Sequence, residues 1–377
     1  MEFLVSLLAL FWPFYQFSQV PFLSSSGFVR IYLIDFLVFL IFINQVFKFL
    51  VQKKKAKKQL QKHPLAKPIA LFLLIALVSL LTAKLVNPLL DWSKIAISSL
   101  YLLRFIVYSS LLFIPFSRQN KSLFQFSFFL VPLVGLIQYL VLPDLRFLKG
   151  IGFDDHYFRL SFPFLDPNYT GVVCAFLLLL NLKDIKKRKF QILSLLSFFS
   201  LALTFSRASY LSFFAGLVFL SFKKPIIKKI TLITIPLFVL TIILIPKPFG
   251  EGVNLKRTFS ISSRMINLKE NFNLFSKNPI TGIGFNTLSH QKQYDPTLIN
   301  RASAGTDNSL LFVLVTTGLL GFVAFTKLII SVFKYAPNLY LQSAMFALLV
   351  HSLFNNTLFY TPILILVFLS LNSSANT

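Results

Sequence analysis

Cysteine and acidic side chains are what this 377-residue sequence has least of: one Cys and 12 Asp+Glu, against 37 Lys+Arg. The lone Cys174 excludes an intrachain disulfide and a thiolate metal cluster. Charged residues make up only 13% of the chain, where a soluble domain carries about 25%. That shortage excludes an ordinary cytosolic enzyme and a disordered scaffold, and the missing cysteine pairs exclude a small disulfide-stapled domain. Internal repeats and low-complexity tracts are also lacking. What fills the chain is apolar: 56% hydrophobic residues, with 47 Phe and a mean hydropathy of +0.74. These values describe an all-α polytopic membrane protein whose partner is the lipid bilayer. At about 20 residues per spanning helix plus connections, the length leaves room for roughly ten to thirteen spans.

Apolar runs bounded by charge, Pro or Asn predict twelve spans: 3–20, 28–50, 68–87, 92–114, 122–142, 168–182, 190–205, 208–222, 230–246, 308–330, 339–354 and 358–372. Trp12 and Pro13 interrupt the first, and neither a basic start nor a small-residue cleavage site marks it as a signal peptide. In a soluble protein the net charge of +25 would point to nucleic acid. In a membrane protein it raises the question of sidedness, and no nucleic-acid partner is expected. With alternating spans, 21 of the 37 basic residues fall in connections on one side, including eight lysines from Lys48 to Lys67. Glu2 and Asp184 are the acids of that side, while nine lie at the other, among them Asp154, Asp155, Asp166, Asp295 and Asp307. The positive-inside rule then predicts cytoplasmic termini.

Two outer segments are too long to be turns, 143–167 and 247–307. Long ordered loops are where binding and catalysis usually sit. In the second, Ile261, Met265, Leu268, Phe272 and Phe275 recur at spacings of 4, 3, 4 and 3. That period predicts an amphipathic helix over 261–275, flanked by Arg264, Lys269 and Glu270, capped by Ser260 or Ser262 and broken at Asn278-Pro279. Its apolar stripe either packs on the protein as a lid or lies in the membrane surface beside an entrance for a lipid head group.

Three outer stretches carry the polar motifs. Arg159, Phe162 and Pro167-Asn168 lead into the sixth span, and Ser206-Arg207 sits in the hairpin between the seventh and eighth. Arg264 is followed by Asn278-Pro279-Ile280-Thr281-Gly282-Ile283-Gly284, then by Asp307-Asn308-Ser309 and Gly318-Leu319-Leu320-Gly321 in the tenth span. In their order, spacing and common side, these motifs from 159 to 325 resemble the O-antigen ligase/polymerase family of bacterial envelope glycan assembly. The resemblance implies a GT-C-like membrane fold in the bacterial cytoplasmic membrane, with the active site outside. It also implies transfer of a glycan from undecaprenyl diphosphate to a hydroxyl of a glycan, lipid or protein acceptor, with no metal or other cofactor.

Diphosphate is already a competent leaving group, so such chemistry mainly needs cations aimed at its developing charge and a base on the attacking hydroxyl. The resemblance makes Arg207 and Arg264 catalytic cations, with Arg159, Asn168 and Asn308 as diphosphate- or glycan-binding residues; Arg104 joins the latter as a charge deep in a span. A guanidinium stays charged at a membrane boundary and grips two phosphate oxygens at once. Each arginine also has a structural account: an interface anchor for Arg207, the polar edge of a helix for Arg264, and a brace to Asp154, Asp155 or Asp166 for Arg159. Family ligases carry His where this sequence has Asp307. An aspartate, with an ordinary pKa of about 3.9, is a weaker base near neutrality unless burial raises it. Alternatively Asp307 caps the tenth span.

Other features have simpler readings. Asp154-Asp155-His156 has the ligand types for a divalent cation, but adjacent residues rarely converge on one ion. Gly282-x-Gly284 is a turn, lacking the third glycine of a nucleotide loop. Gly318 and Gly321 let helices approach. Arg104 and Asp35, both deep in spans, form an ion pair, unless Arg104 meets a lipid diphosphate. His351 is either a polar contact inside the bundle or a substitute for the missing His. A transporter or flippase is the alternative function, but polar residues gather at the outer face and the two halves lack matching interruptions.

Overall fold

The computed structural model describes residues 1–20, 30–151, 153–247, 250–291 and 305–375. Asp295 and the neighbouring part of the expected 247–307 loop lie outside the described residues. Among those described the chain is helical, and two isolated antiparallel bridges, Gln19–Tyr32 and Asp144–Tyr157, stand in place of any strand. The order is α1 (Glu2–Phe11), α2 (Leu33–Val51), α3 (Lys53–Lys62), α4 (Ala66–Val86), α5 (Trp92–Ser109) and α6 (Arg118–Val141). Then come α7 (Pro167–Asn181), α8 (Arg188–Leu203), α9 (Arg207–Lys223), α10 (Pro225–Leu244), α11 (Phe259–Lys277) and α12 (Leu288–Gln291). The chain closes with α13 (Ser309–Tyr335), α14 (Leu339–His351) and α15 (Thr361–Ala375).

Six of these are long and apolar enough to cross a membrane: α2, α4, α5 with its continuation to Phe113, α6, α10 and α13. The other expected spans are also helical but shorter, from the 10 residues of α1 to the 17 of α9. Pro13 accounts for the first of these. It removes a backbone donor, and the chain tightens into a 3-10 turn over Trp12–Ser18. The lysine run forms its own helix, α3, apart from the apolar ones.

Burial follows composition. Helix α7 is apolar on all sides and buries every residue from Thr170 to Leu179, with α8, α9 and α14 packed around it. Helices α2, α4 and α10 turn large side chains outward, including Phe47, Leu81 and Ile243. Contiguous apolar surface on that scale suits lipid rather than water.

A break in α13, which packs against α4 and α11, positions the site. Helix α13 breaks at Gly318, whose φ of +65° is left-handed. The segment Pro279–Gly284 inserts against the break. Leu319 N–H donates to Pro279 O at 2.8 Å, while Ile283 and Gly284 N–H donate to Val315 O and Thr316 O, each at 3.0 Å. Backbone groups freed by the break thus find partners, as an apolar surround requires. A Cβ on Gly318 would lie 2.1 Å from Ile280 O, and one on Gly282 (φ +69°) 2.5 Å from the Thr316 carbonyl carbon. The expected turn at Gly282-x-Gly284 is present. Gly318, expected to ease the approach of helices, instead makes the break and admits a loop.

Gly318→Ala should therefore sharply reduce accumulation of folded protein, since left-handed backbone strain alone costs about 1–3 kcal/mol. Gly321→Ala should be destabilising as well, because its Cβ would lie 2.3 Å from Thr317 Cβ, an atom that side-chain rotation does not move. Membrane-fraction yield and thermal unfolding of the two variants check this.

Candidate active site

Three helices start close together. Asp166 caps α7 by accepting from Asn168 N–H at 2.6 Å, Ser206 caps α9, and Asn308 caps α13. Ser206 Oγ donates to Asn168 Oδ1 at 2.8 Å and Ser209 Oγ to Asn168 O at 2.9 Å, which ties the first two starts together. The expected substrate role of Asn168 meets a structural one: its amide braces the Ser206-Arg207 hairpin.

The starts of α9 and α13 face α11 across a cavity of about 400 Å³, lined by Arg207, Arg264, Asn267, Asp307 and Asn308 together with Ile261, Met265 and Leu268. Four of the seven residues expected in the site therefore meet in one place. Arg207 Nη1 donates to Leu255 O at 3.1 Å and Arg257 O at 3.0 Å, so it also holds the start of the long loop. Arg264 differs. Among the described residues no hydrogen bond or ion pair holds its guanidinium, which is half-buried beside the cavity. Both starts also aim helix N-termini, with their partial positive charge, at this space.

The capping account of Asp307 needs correcting. Asn308 Oδ1 accepts from Leu310 N–H at 2.9 Å and Leu311 N–H at 3.0 Å, so the cap of α13 belongs to Asn308 and not to the carboxylate before it. Replacing Asn308 with Ala should cost about 1 kcal/mol of stability.

Arg159 lies outside the cavity. It is buried behind the hairpin, where Nε donates to Thr204 O at 2.9 Å and Nη2 has no partner among the described residues. Burial and the Arg257 guanidinium push its pKa down to about 9, opposed by Asp166, and it remains a cation at neutral pH. Burial, with Asp154 adding to it, raises Asp166 to about 6. Burial and the Arg159 and Arg257 charges hold His156 neutral, with a pKa of about 3. The neighbouring Asp155 faces Lys149 at 3.8 Å, so Asp154, Asp155 and His156 do not converge. Among the described residues no cluster of three His, Cys, Asp or Glu side chains could hold a metal ion.

Arg257 escaped the sequence reading. Its Nη1 donates to Gly252 O at 2.7 Å and its Nη2 to Phe205 O at 3.3 Å, pinning the loop to the hairpin. Lys256-Arg257 sits on the side expected to be acidic, and that mismatch was the available signal.

Helix α11 covers the expected 261–275 and ends before Asn278-Pro279 as expected. Thr258 precedes it without a side-chain cap, in place of Ser260 or Ser262. The apolar stripe does not pack inward as a lid: Met265 is 62% and Phe272 52% exposed. Asn267 and Asn271 face the protein instead, the first donating to Gly305 O at 3.0 Å.

Residues 192–326 match the family model described as O-antigen ligase. Over that stretch the chain is similar to O-antigen ligases. No curated protein matches the chain. The matched stretch runs from α8 into α13 and contains Arg207, Arg264, Asp307 and Asn308, while Arg159 and Asn168 precede it. It takes in a little over a third of the sequence.

Outside the matched stretch, Arg104 pairs with Asp35 at 2.8 Å, with both side chains less than a fifth exposed. Asp35 also accepts from Tyr108 OH at 2.7 Å and Tyr15 OH at 3.1 Å. The ion pair expected from the sequence is formed, and Arg104 lines a separate cavity away from Arg207 and Arg264. Asp35→Ala should destabilise the protein by about 3 kcal/mol, because it strands a largely buried cation. Thermal unfolding in detergent measures it. His351 is fully buried, with Nδ1 2.7 Å from Thr357 Oγ1 and Nε2 3.3 Å from Ser209 Oγ; it is a contact within the bundle.

Proposed function

We propose that the chain is a polyisoprenyl-diphosphate-dependent glycosyltransferase acting at the outer face of the bacterial cytoplasmic membrane. The observation that carries the reading is the cavity where Arg207, Arg264 and Asp307 meet at two helix starts. The acceptor hydroxyl attacks the anomeric carbon of the donor. Its bond to the diphosphate oxygen breaks, and polyisoprenyl diphosphate leaves. Arg264, assisted by Arg207, takes up the charge that develops on the leaving group. Asp307 accepts the proton of the attacking hydroxyl. Asn308 holds the start of α13, and Arg159 and Arg257 keep the hairpin and loop in place behind the cations.

The exposed stripe of α11 beside the cavity supports a helix lying in the membrane surface, past which the lipid portion of the donor reaches the site. Twelve crossings with cytoplasmic termini put the lysine-rich α3 inside and the cavity outside. That topology is supported by the charge bias of the connections and by helices at every expected span.

The test is purified protein given a defined lipid-diphosphate glycan and candidate acceptors, with the products sized. A ladder identifies a polymerase and a single transfer a ligase. Vesicles that translocate the lipid-linked glycan without forming any glycosidic bond would point to a flippase instead.

A further inference from the structure

The second cavity, of about 280 Å³, lies on the other side of the first turn of α13 from the arginine site. Leu311 faces one cavity and Phe312 the other; in the 352–360 connection, Phe354 faces the first and Asn356 the second. Its chemistry differs from that of its neighbour. The charge of Arg104 is matched by Asp35, and the Arg104 guanidinium also donates to Arg30 O at 2.7 Å. The Arg30 guanidinium lies over the Phe153 ring, 4.7 Å from its centroid. Neither arrangement resembles the uncommitted cation at Arg264.

What lines the space instead is a set of hydroxyl and amide groups above aromatic rings: Tyr101, Tyr360, Asn286 and Asn356, with Phe312 and Phe359. Asn356 Oδ1 is buried there with no hydrogen-bond partner among the described residues. A buried acceptor left unpaired is costly, and a ligand that donates an O–H would satisfy it. The rim is already preorganised, because Tyr32 OH donates to Gln16 Oε1 at 3.1 Å and Gln16 Nε2 to Tyr360 OH at 2.7 Å.

Donors and acceptors around apolar ring faces, with charge internally balanced, suit a molecule that is polar at its edge and apolar on its faces. A sugar ring has that character, with hydroxyls at the rim and C–H groups on the faces. The volume sits near the lower end of the range for small-molecule pockets, about 300 Å³. A chain of contacts runs from this cavity towards the first site. Tyr360 stacks on Tyr169 at 3.8 Å, and Tyr169 adjoins the Asn168 that braces the Arg207 hairpin.

We propose that this cavity binds a sugar ring of a substrate glycan, on the opposite side of the α13 start from the diphosphate. The assignment rests on the glycosyltransferase reading only for the identity of its ligand as substrate; sugar binding itself is measurable without turnover.

Saturation-transfer NMR on the full-length protein in detergent, with free hexoses and N-acetylhexosamines as probes, tests it. Saturation should reach the ring C–H protons. Asn356→Ala should weaken binding about tenfold, consistent with loss of one buried hydrogen bond. Asn286→Gly, which tolerates the φ of +58° at that position, should weaken it similarly. Arg264→Ala should bind sugar as wild type does, and inorganic pyrophosphate should not displace it. No saturation transfer to wild type, wild-type binding in both asparagine variants, or displacement by pyrophosphate would each overturn the proposal. Sugar binding of the expected kind in a protein that forms no glycosidic bond would keep this site and discard the transferase reading. Transfer by wild type with no sugar binding would do the reverse.

Discussion

Arg264→Ala is expected to lower glycan transfer by at least about 10²-fold, the scale seen when one preorganised donor to a developing oxyanion is removed. The same variant should insert, accumulate and unfold as wild type, because no hydrogen bond or ion pair holds this guanidinium among the described residues. A group that stabilises the fold through no polar contact, yet stands charged beside a cavity, has an anion as its natural partner. Arg207→Ala should lose comparable activity for a mixed reason. Its guanidinium also holds Leu255 O and Arg257 O, so loop order falls together with transition-state stabilisation. Arg207→Lys should restore part of both, as a point charge without the planar fork. Initial rates of lipid-linked glycan consumption, read alongside melting temperatures, separate the two arginines. Near-wild-type rates for Arg264→Ala would remove it from the site.

The second large effect is expected at Asp307. Asp307→Ala should reduce turnover by about 10²–10⁴-fold, the usual worth of a positioned general base. Its stability should change little, because Asn308 caps α13. Asp307→His should retain much of the activity near and above neutral pH and lose it as the pH falls below about 6.5, where imidazole takes up a proton. Asn308→Ala should show the opposite profile, losing stability more than intrinsic rate. Matched losses of stability and rate in both variants would mean that position 307 acts on the fold and not on the proton. The pH dependence of single-turnover rates for Asp307 and its His variant is the decisive comparison.

Much of this was legible in the sequence because apolar run length and charge bias are coarse signals that tertiary context rarely reverses. Each expected span is a helix, and the 4-3-4-3 spacing in 261–275 marked α11 to within two residues at either end. The Arg104–Asp35 pair was readable for a similar reason: charges deep in spans have few partners available. Direction was harder. Amphipathicity says that α11 has two faces but not which one meets the protein, and here Asn267 and Asn271 take the inner side. Gly318 was misread because a glycine in an apolar helix suits both close packing and a break. Only the loop that fills the gap, brought from forty residues away, distinguishes them. Arg159 and Arg207 share a local context, an arginine near a span end. Burial, which sequence spacing does not encode, sends the first behind the hairpin and the second to the cavity. The capping of α13 turned on a one-residue choice between Asp307 and Asn308, both good caps in isolation.

The central claim is that Arg207 and Arg264 together hold the lipid diphosphate beside Asp307. Its most direct test is photolabelling of the intact protein in bilayers with a polyisoprenyl diphosphate that carries the reactive group next to the phosphates, followed by peptide mapping. Labels are expected at the start of α9, on the Arg264 face of α11 and at the start of α13, and they should fall away in Arg264→Ala. Labelling confined to the Arg104 cavity or to the lysine-rich α3, with no change in Arg264→Ala, would contradict it.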